Sequence, residues 1–152
     1  MERNFYIVTT KTCALIALSD QKTKVLEQDQ VIIVNKNPLK IMQESCEYYG
    51  SSLEGRLVSS KKNLGMCYKL PVIVEGSKEI IMFPTISSEN DDCCWVSLKN
   101  IINYKKDDNN TIITFSGNNM HNFSMSYEML ENQMFRASKL MMIMQNHYNA
   151  QI

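Results

Sequence analysis

The sequence predicts an α+β fold: a curved antiparallel sheet, a helical insertion at about residues 38–63 and a long C-terminal helix. Short apolar runs rich in β-branched and aromatic residues recur along the chain, separated by clusters of Gly, Asn, Asp and Pro. One stretch between them carries Leu39, Met42, Cys46 and Tyr49 at helical spacing. From Ser126 onward, Tyr127, Leu130, Met134, Ala137, Met141, Met144 and Tyr148 step by three and four, a heptad pattern that strands cannot produce. The 152 residues suit a single domain spanning 1–152, with enough chain to bury one core without disulfides or metal.

Strand-like runs open the chain at Phe5 to Val8, Ala14 to Leu18, Lys24 to Glu27 and Val31 to Val34, with a polar turn at Gln28-Asp29-Gln30. Asn37 then stands as an N-cap before Pro38 at the first helical position, and Gly50 is the stop. A second helix is expected from Ser52 to about Asn63. Gly55 inside it and Val58-Ser59-Ser60 weaken helix propensity, so a loop is the alternative there. Val72 to Val74 and Glu79 to Phe83 read as a hairpin around Gly76, ended by Pro84. After the acidic loop 85–92, a strand at Cys94 to Ser97 buries Trp95, and three further strands between Asn100 and Met125 form a meander. Ser126 caps the last helix, with Glu128 in its first turn.

Composition excludes more than it selects. Lys plus Arg and Asp plus Glu number 16 each, so net charge says nothing about a polyanionic partner. The five cysteines (13, 46, 67, 93 and 94) lack C-x-x-C spacing, and no secretory leader precedes them, which suits a reduced, cytoplasmic protein. Adjacent Cys93 and Cys94 with only His121 and His147 make a poor ligand set, so no metal and no cofactor are expected. No apolar run reaches the roughly 18 residues that a membrane span needs. Phosphate loops, H-E-x-x-H and G-x-S-x-G are missing, and Glu44 with Glu47 reads as solvated helix surface, so no catalytic residues are assigned.

Charge is distributed unevenly. Residues 51–74 hold Arg56, Lys61, Lys62 and Lys69 against Glu54 alone, a balance of +3, whereas residues 75–110 hold four cations against seven acids, a balance of −3. With Ser51, Ser52 and Tyr68 interleaved, the first block suits phosphate contact. Arg56 is the candidate for a narrow minor groove, because a guanidinium surrenders less hydration than an ammonium. Taken locally, Ser45 to Arg56 also reads as a helix stop followed by a Ser cap.

Several separated motifs carry a resemblance. Asn37-Pro38-Leu39-Lys40-Ile41, Ser45 through Gly50 to Arg56, Phe83-Pro84-Thr85-Ile86-Ser87-Ser88, Trp95, and Ser126-Tyr127 through Glu131-Asn132-Gln133 to Arg136 resemble the landmarks of the ComK family of competence transcription factors. They fall in that family's order over roughly residues 30–140. The resemblance implies a cytoplasmic, DNA-binding transcription activator of competence that recognises AT-rich double-stranded DNA through the minor groove, as a homodimer or higher assembly. It also implies a proteolytic adaptor as partner. On that basis Lys40 and Arg136 join Ser51, Ser52, Arg56, Lys61, Lys62 and Lys69 as candidate DNA contacts. Lys69-Leu70-Pro71-Val72 departs from the family's Lys-Pro-Pro-Ile, and the chain stops at Ile152, where better-known members continue into a basic tail. A short homologue without that tail is therefore expected.

The terminal helix supplies the competing reading. Met129, Phe135, Leu140, Met142 and Ile143 add apolar surface outside the heptad face, so Met134, Met141, Met142 and Ile143 are candidate dimer contacts. The same Met-rich surface would serve a protein-interaction module that docks a partner without binding DNA. A thiol sensor at Cys93-Cys94 is a third reading.

Overall fold

In the computed structural model, which describes residues 2–150, seven strands form one open sheet. They are β1 (Glu2–Arg3), β2 (Thr12–Leu18), β3 (Lys22–Glu27), β4 (Val31–Val34), β5 (Val72–Glu75), β6 (Ile80–Pro84) and β7 (Trp95–Ser97), in the order β1-β4-β3-β2-β7-β6-β5. Three more, β8 (Ile101–Asp107), β9 (Asn110–Phe115) and β10 (Met120–Phe123), form a separate antiparallel sheet. The helices are α1 (Pro38–Tyr48), α2 (Leu53–Leu64) and α3 (Tyr127–Asn149).

The expected single curved antiparallel sheet is therefore wrong, although the helical insertion and the long C-terminal helix are present. The main sheet is mixed, because β1 pairs parallel with β4, and it is open, with β1 and β5 as its edges. The expected meander forms its own sheet because the 3-10 turn Leu98–Asn100 interrupts the ladder between β7 and β8. Asn100 fixes that break: its buried side chain donates to the carbonyls of Thr10 and Thr12 at 3.0 and 2.7 Å and accepts from Gln28. Phe5 to Val8 is extended but joins no ladder. It is strapped to α1 instead, with Val8 N–H donating to Ser45 Oγ and Tyr49 Oη donating to the Val8 carbonyl.

Alternation along the main sheet builds two cores. Leu15, Val25, Val72, Val74, Met82 and Trp95 face Ile41, Met42 and Cys46 of α1 and Leu53 of α2. Their neighbours Ala14, Ile16, Leu26, Ile73, Ile81, Phe83 and Val96 face Ile113, Phe115 and Phe123 of the small sheet and Leu130, Ala137, Leu140 and Met141 of α3. A sheet covered on both sides explains why β2 and β6 are continuous apolar runs rather than alternating ones. The small sheet closes tightly on the β3–β4 turn, where a Cβ at Gly117 (φ +87°) would fall 1.7 Å from the Gln28 carbonyl oxygen.

Candidate nucleic-acid interface

Helix α2 settles the doubt about residues 52–63 in favour of helix. Ser52 caps it, its Oγ accepting from Gly55 N–H at 2.9 Å, and Gly65 ends it in the left-handed region at φ 68°. Gly55 is compatible with the helix because a Cβ there would crowd the cap, 3.1 Å from Ser52 Oγ. Ser60 is buried in the middle, donating to the Pro71 carbonyl at 2.6 Å and so tying the helix to the start of β5.

The basic residues of this block do not share one face. At 3.6 residues per turn, Lys61 lies about 140° around the helix from Arg56 in one sense and Lys62 about 120° in the other. Arg56 is half-buried and its Nε is enclosed without a hydrogen-bond partner. Its charge lies close enough to the Cys46 thiol and the Glu75 carboxylate to lower both their pKa values somewhat. The Glu75 carboxyl sits below the usual range chiefly because Ser77 N–H donates to it, with the Ser77 hydroxyl, Arg56 and Lys78 adding to the effect. Lys61 and Lys62 are exposed, and Lys69 is half-buried.

Three adjoining hollows gather the rest. One of about 590 Å³ runs between α1 and α2 past Leu39, Leu53, Leu57, Lys61 and Leu70. A second of about 550 Å³ shares Leu57, Leu70, Ser88 and Glu89 with it and is lined by Tyr68, Lys69 and Arg136. A third of about 390 Å³ lies under Val58, Lys61, Lys62 and Cys67. Lys61, Lys62, Lys69 and Arg136, drawn from two distant parts of the chain, thus surround the end of α2 and the loop after it. None of the four makes an ion pair among the described residues, whereas Lys22, Lys36, Lys99 and Lys106 are paired with Glu2, Glu44, Glu79 and Glu128. Glu89 on the shared rim and Glu47 and Glu54 on the α1 side place the acidic flank away from Lys62.

Gln133 holds the arrangement, a residue that sequence reading did not single out as functional. Its fully buried amide donates to the carbonyls of Lys69 and Pro84, each at 2.9 Å, and its Oε1 accepts from Arg136 Nη1 at 3.0 Å. Gln133 follows Glu131 and Asn132 in a polar run one residue before the heptad position Met134, so nothing local in the sequence marked it as buried. Of the expected contacts Lys40, Ser51 and Ser52, only Ser52 borders one of these hollows, the first. Lys40 is exposed in the first turn of α1 and lines none of the three hollows; Ser51 N–H closes the end of α1 on the Cys46 carbonyl, and Ser52 is committed to its cap.

On α3 the heptad face is the core face. Met141 is 6% exposed and packs in the second core, which removes it as a free surface contact, while Met134 is half-buried against that core. Ile143 is half-buried, and Met142 and Phe135 are exposed. Burial pushes the Cys93 thiol up to about 11 and also raises Cys94, so neither is a thiolate at neutral pH, and the sensor reading loses its chemistry. Among the described residues, no group of three or more His, Cys, Asp and Glu could hold a metal, and no helix is long and apolar enough to cross a membrane.

Fold and surface together define a layered α+β protein with unpaired cations gathered beside a pinned loop. Comparison with known proteins gives the family: the model of the ComK protein family matches residues 3–149, and the chain belongs to it. The match extends the resemblance through the first 30 residues, where no motif was legible. Over 119 residues the chain is 34% identical to the competence transcription factor of Bacillus subtilis (strain 168), covering 78% of this chain and 62% of that relative. The chain thus matches less than two thirds of that relative's length. No solved structure matches it.

Proposed function

We propose that this protein is a non-catalytic transcription regulator of the competence type that binds AT-rich duplex DNA in the cytoplasm, mainly through the minor groove and phosphates. The observation that carries the reading is the convergence of Lys61, Lys62, Lys69 and Arg136, none in an ion pair among the described residues, around one loop. Cations drawn together from distant parts of the chain around one loop suit a polyanion. The family membership supplies the kind of polyanion, since the Bacillus relative is named a competence transcription factor. Four neutralised phosphates per subunit correspond to a log K against log salt slope of roughly −3.6.

Self-association is part of the proposal. Phe135 and Met142 lie seven residues apart on α3 at 66% and 58% exposure, with Ile143 beside them, and together they form a stripe suited to a second copy in a homodimer or higher assembly. A proteolytic adaptor is the further partner that the family suggests.

The test is a fluorescence-anisotropy titration of the full chain with a duplex carrying two spaced A/T tracts and with a G/C-rich control, at several salt concentrations. Preference for the A/T duplex with a steep salt slope is expected. Equal, salt-insensitive binding to both would remove the reading in favour of a protein-docking role for α3.

A further inference from the structure

Tyr68 is 81% exposed, the highest value among the exposed large apolar side chains of the described residues, yet the backbone that follows it is held in place. Lys69 adopts φ 51°, a left-handed conformation that a side chain disfavours. Gln133 grips the Lys69 carbonyl, Leu70 is buried, and the Pro71 carbonyl accepts from Ser60. The ring projects because a strained, pinned segment leaves it no place against the core. It stands at the mouth of the hollow that Lys69 and Arg136 also line.

We propose that Tyr68 is the uncharged, sequence-reading contact of this surface. This rests on the duplex-DNA reading and assigns it a residue. The ring lies along a deoxyribose wall of the minor groove, with Lys69 and Arg136 on the flanking phosphates. Its phenol O–H donates to adenine N3 or thymine O2, the acceptors that A·T pairs present there. A G·C pair places the guanine N2 amino group on the groove floor, where it fills the space the hydroxyl needs to reach those acceptors. The preference for A/T sequence then comes from one hydroxyl and from room at the groove floor, while the four cations supply affinity without discrimination.

The experiment uses the full chain in the same two-duplex titration over 50 to 200 mM salt, with Tyr68→Ala, Tyr68→Phe and the double variant Lys61→Ala/Lys62→Ala. Tyr68→Ala is expected to weaken A/T binding by about 10-fold or more with an unchanged salt slope, because the ring carries no charge. Tyr68→Phe should keep most of the affinity for the G/C duplex while losing most of the A/T preference. The double lysine variant should lower the slope by about 1.8 and leave the preference intact. Wild-type affinity in Tyr68→Ala overturns the inference. So does a slope reduction of about 0.9, the share of one phosphate contact, which would make the ring a mere prop for Lys69. A Tyr68→Phe variant that still prefers A/T overturns the hydroxyl contact. No binding of the A/T duplex by the wild-type chain overturns the DNA reading itself, and the inference with it.

Discussion

The two halves of the basic block, residues 51–60 and 61–70, differ in charge and in fate: the first sets Arg56 against Glu54, whereas the second holds Lys61, Lys62 and Lys69 with no acid. In the first half the Ser52 hydroxyl is committed to the cap, Ser60 is buried against the Pro71 carbonyl, and Arg56 is half-buried with its Nε enclosed, while Glu54 is exposed. In the second half Lys61 and Lys62 are exposed, Tyr68 projects, and Lys69 lines an open hollow. The difference arises where the helix docks. The start of α2 must bury Leu53 against the first core and bond to the end of α1, whereas its last turn runs past β5, the edge of the sheet, and Gly65 releases the chain. A run of cations in a sequence is therefore not yet a surface; the anchoring of the helix decides which of them meet solvent.

The largest effect should come from removing the amide that holds the second half in place. Gln133→Leu leaves the Lys69 and Pro84 carbonyls without their buried donor, a loss of about 3 kcal/mol that denaturant unfolding would register. If stability is unchanged, Gln133 is not the clamp and the second half has some other anchor. Next comes the triple variant Lys61→Ala/Lys62→Ala/Lys69→Ala. It should lower A/T duplex affinity on the order of 100-fold at 0.1 M salt and reduce the salt slope by about 2.7, with little change in the unfolding midpoint. A slope that stays at the wild-type value would place the phosphate contacts outside this half and break the comparison.

Much of the architecture was legible because local signals agreed. Asn37 before Pro38, Ser52 and Ser126 each cap the helix expected from them, and the heptad on α3 is the face it buries. The sheet was misread because strand patterning fixes where strands lie, not which strands pair. Nothing local marks the 3-10 turn at Leu98–Asn100 as a break, and the Asn100 contacts that stabilise it come from residues about 90 positions away. For the site, Lys61, Lys62, Lys69 and Arg136 were identifiable from charge and resemblance, but their convergence was not. Gln133 joins Lys69 to Arg136 across 64 residues of sequence, and no spacing rule spans that distance. Arg56 shows the same limit: a guanidinium in a basic stretch looks outward-facing until the helix phase is known, and here it is half-buried with an enclosed Nε.

Two smaller effects sharpen the first half. Ser52→Ala removes the Gly55 cap bond and should cost about 1 kcal/mol in unfolding free energy while leaving the salt slope of duplex binding unchanged. A clear drop in the slope would mean that this residue's environment, not only its hydroxyl, contributes to DNA contact. Arg56→Met is the finest test, and little change is expected. The enclosed Nε already lacks a hydrogen bond, so replacing the guanidinium with an apolar chain of similar length removes an unsatisfied buried group and keeps the packing. The Glu75 carboxylate retains its two Ser77 bonds and the nearby Lys78. Stability should shift by no more than about 0.5 kcal/mol and duplex affinity by no more than about 2-fold. A 10-fold loss of A/T binding without loss of stability would show that the guanidinium swings outward to the DNA, and the inward commitment of the first half would then be wrong at the residue on which it most depends.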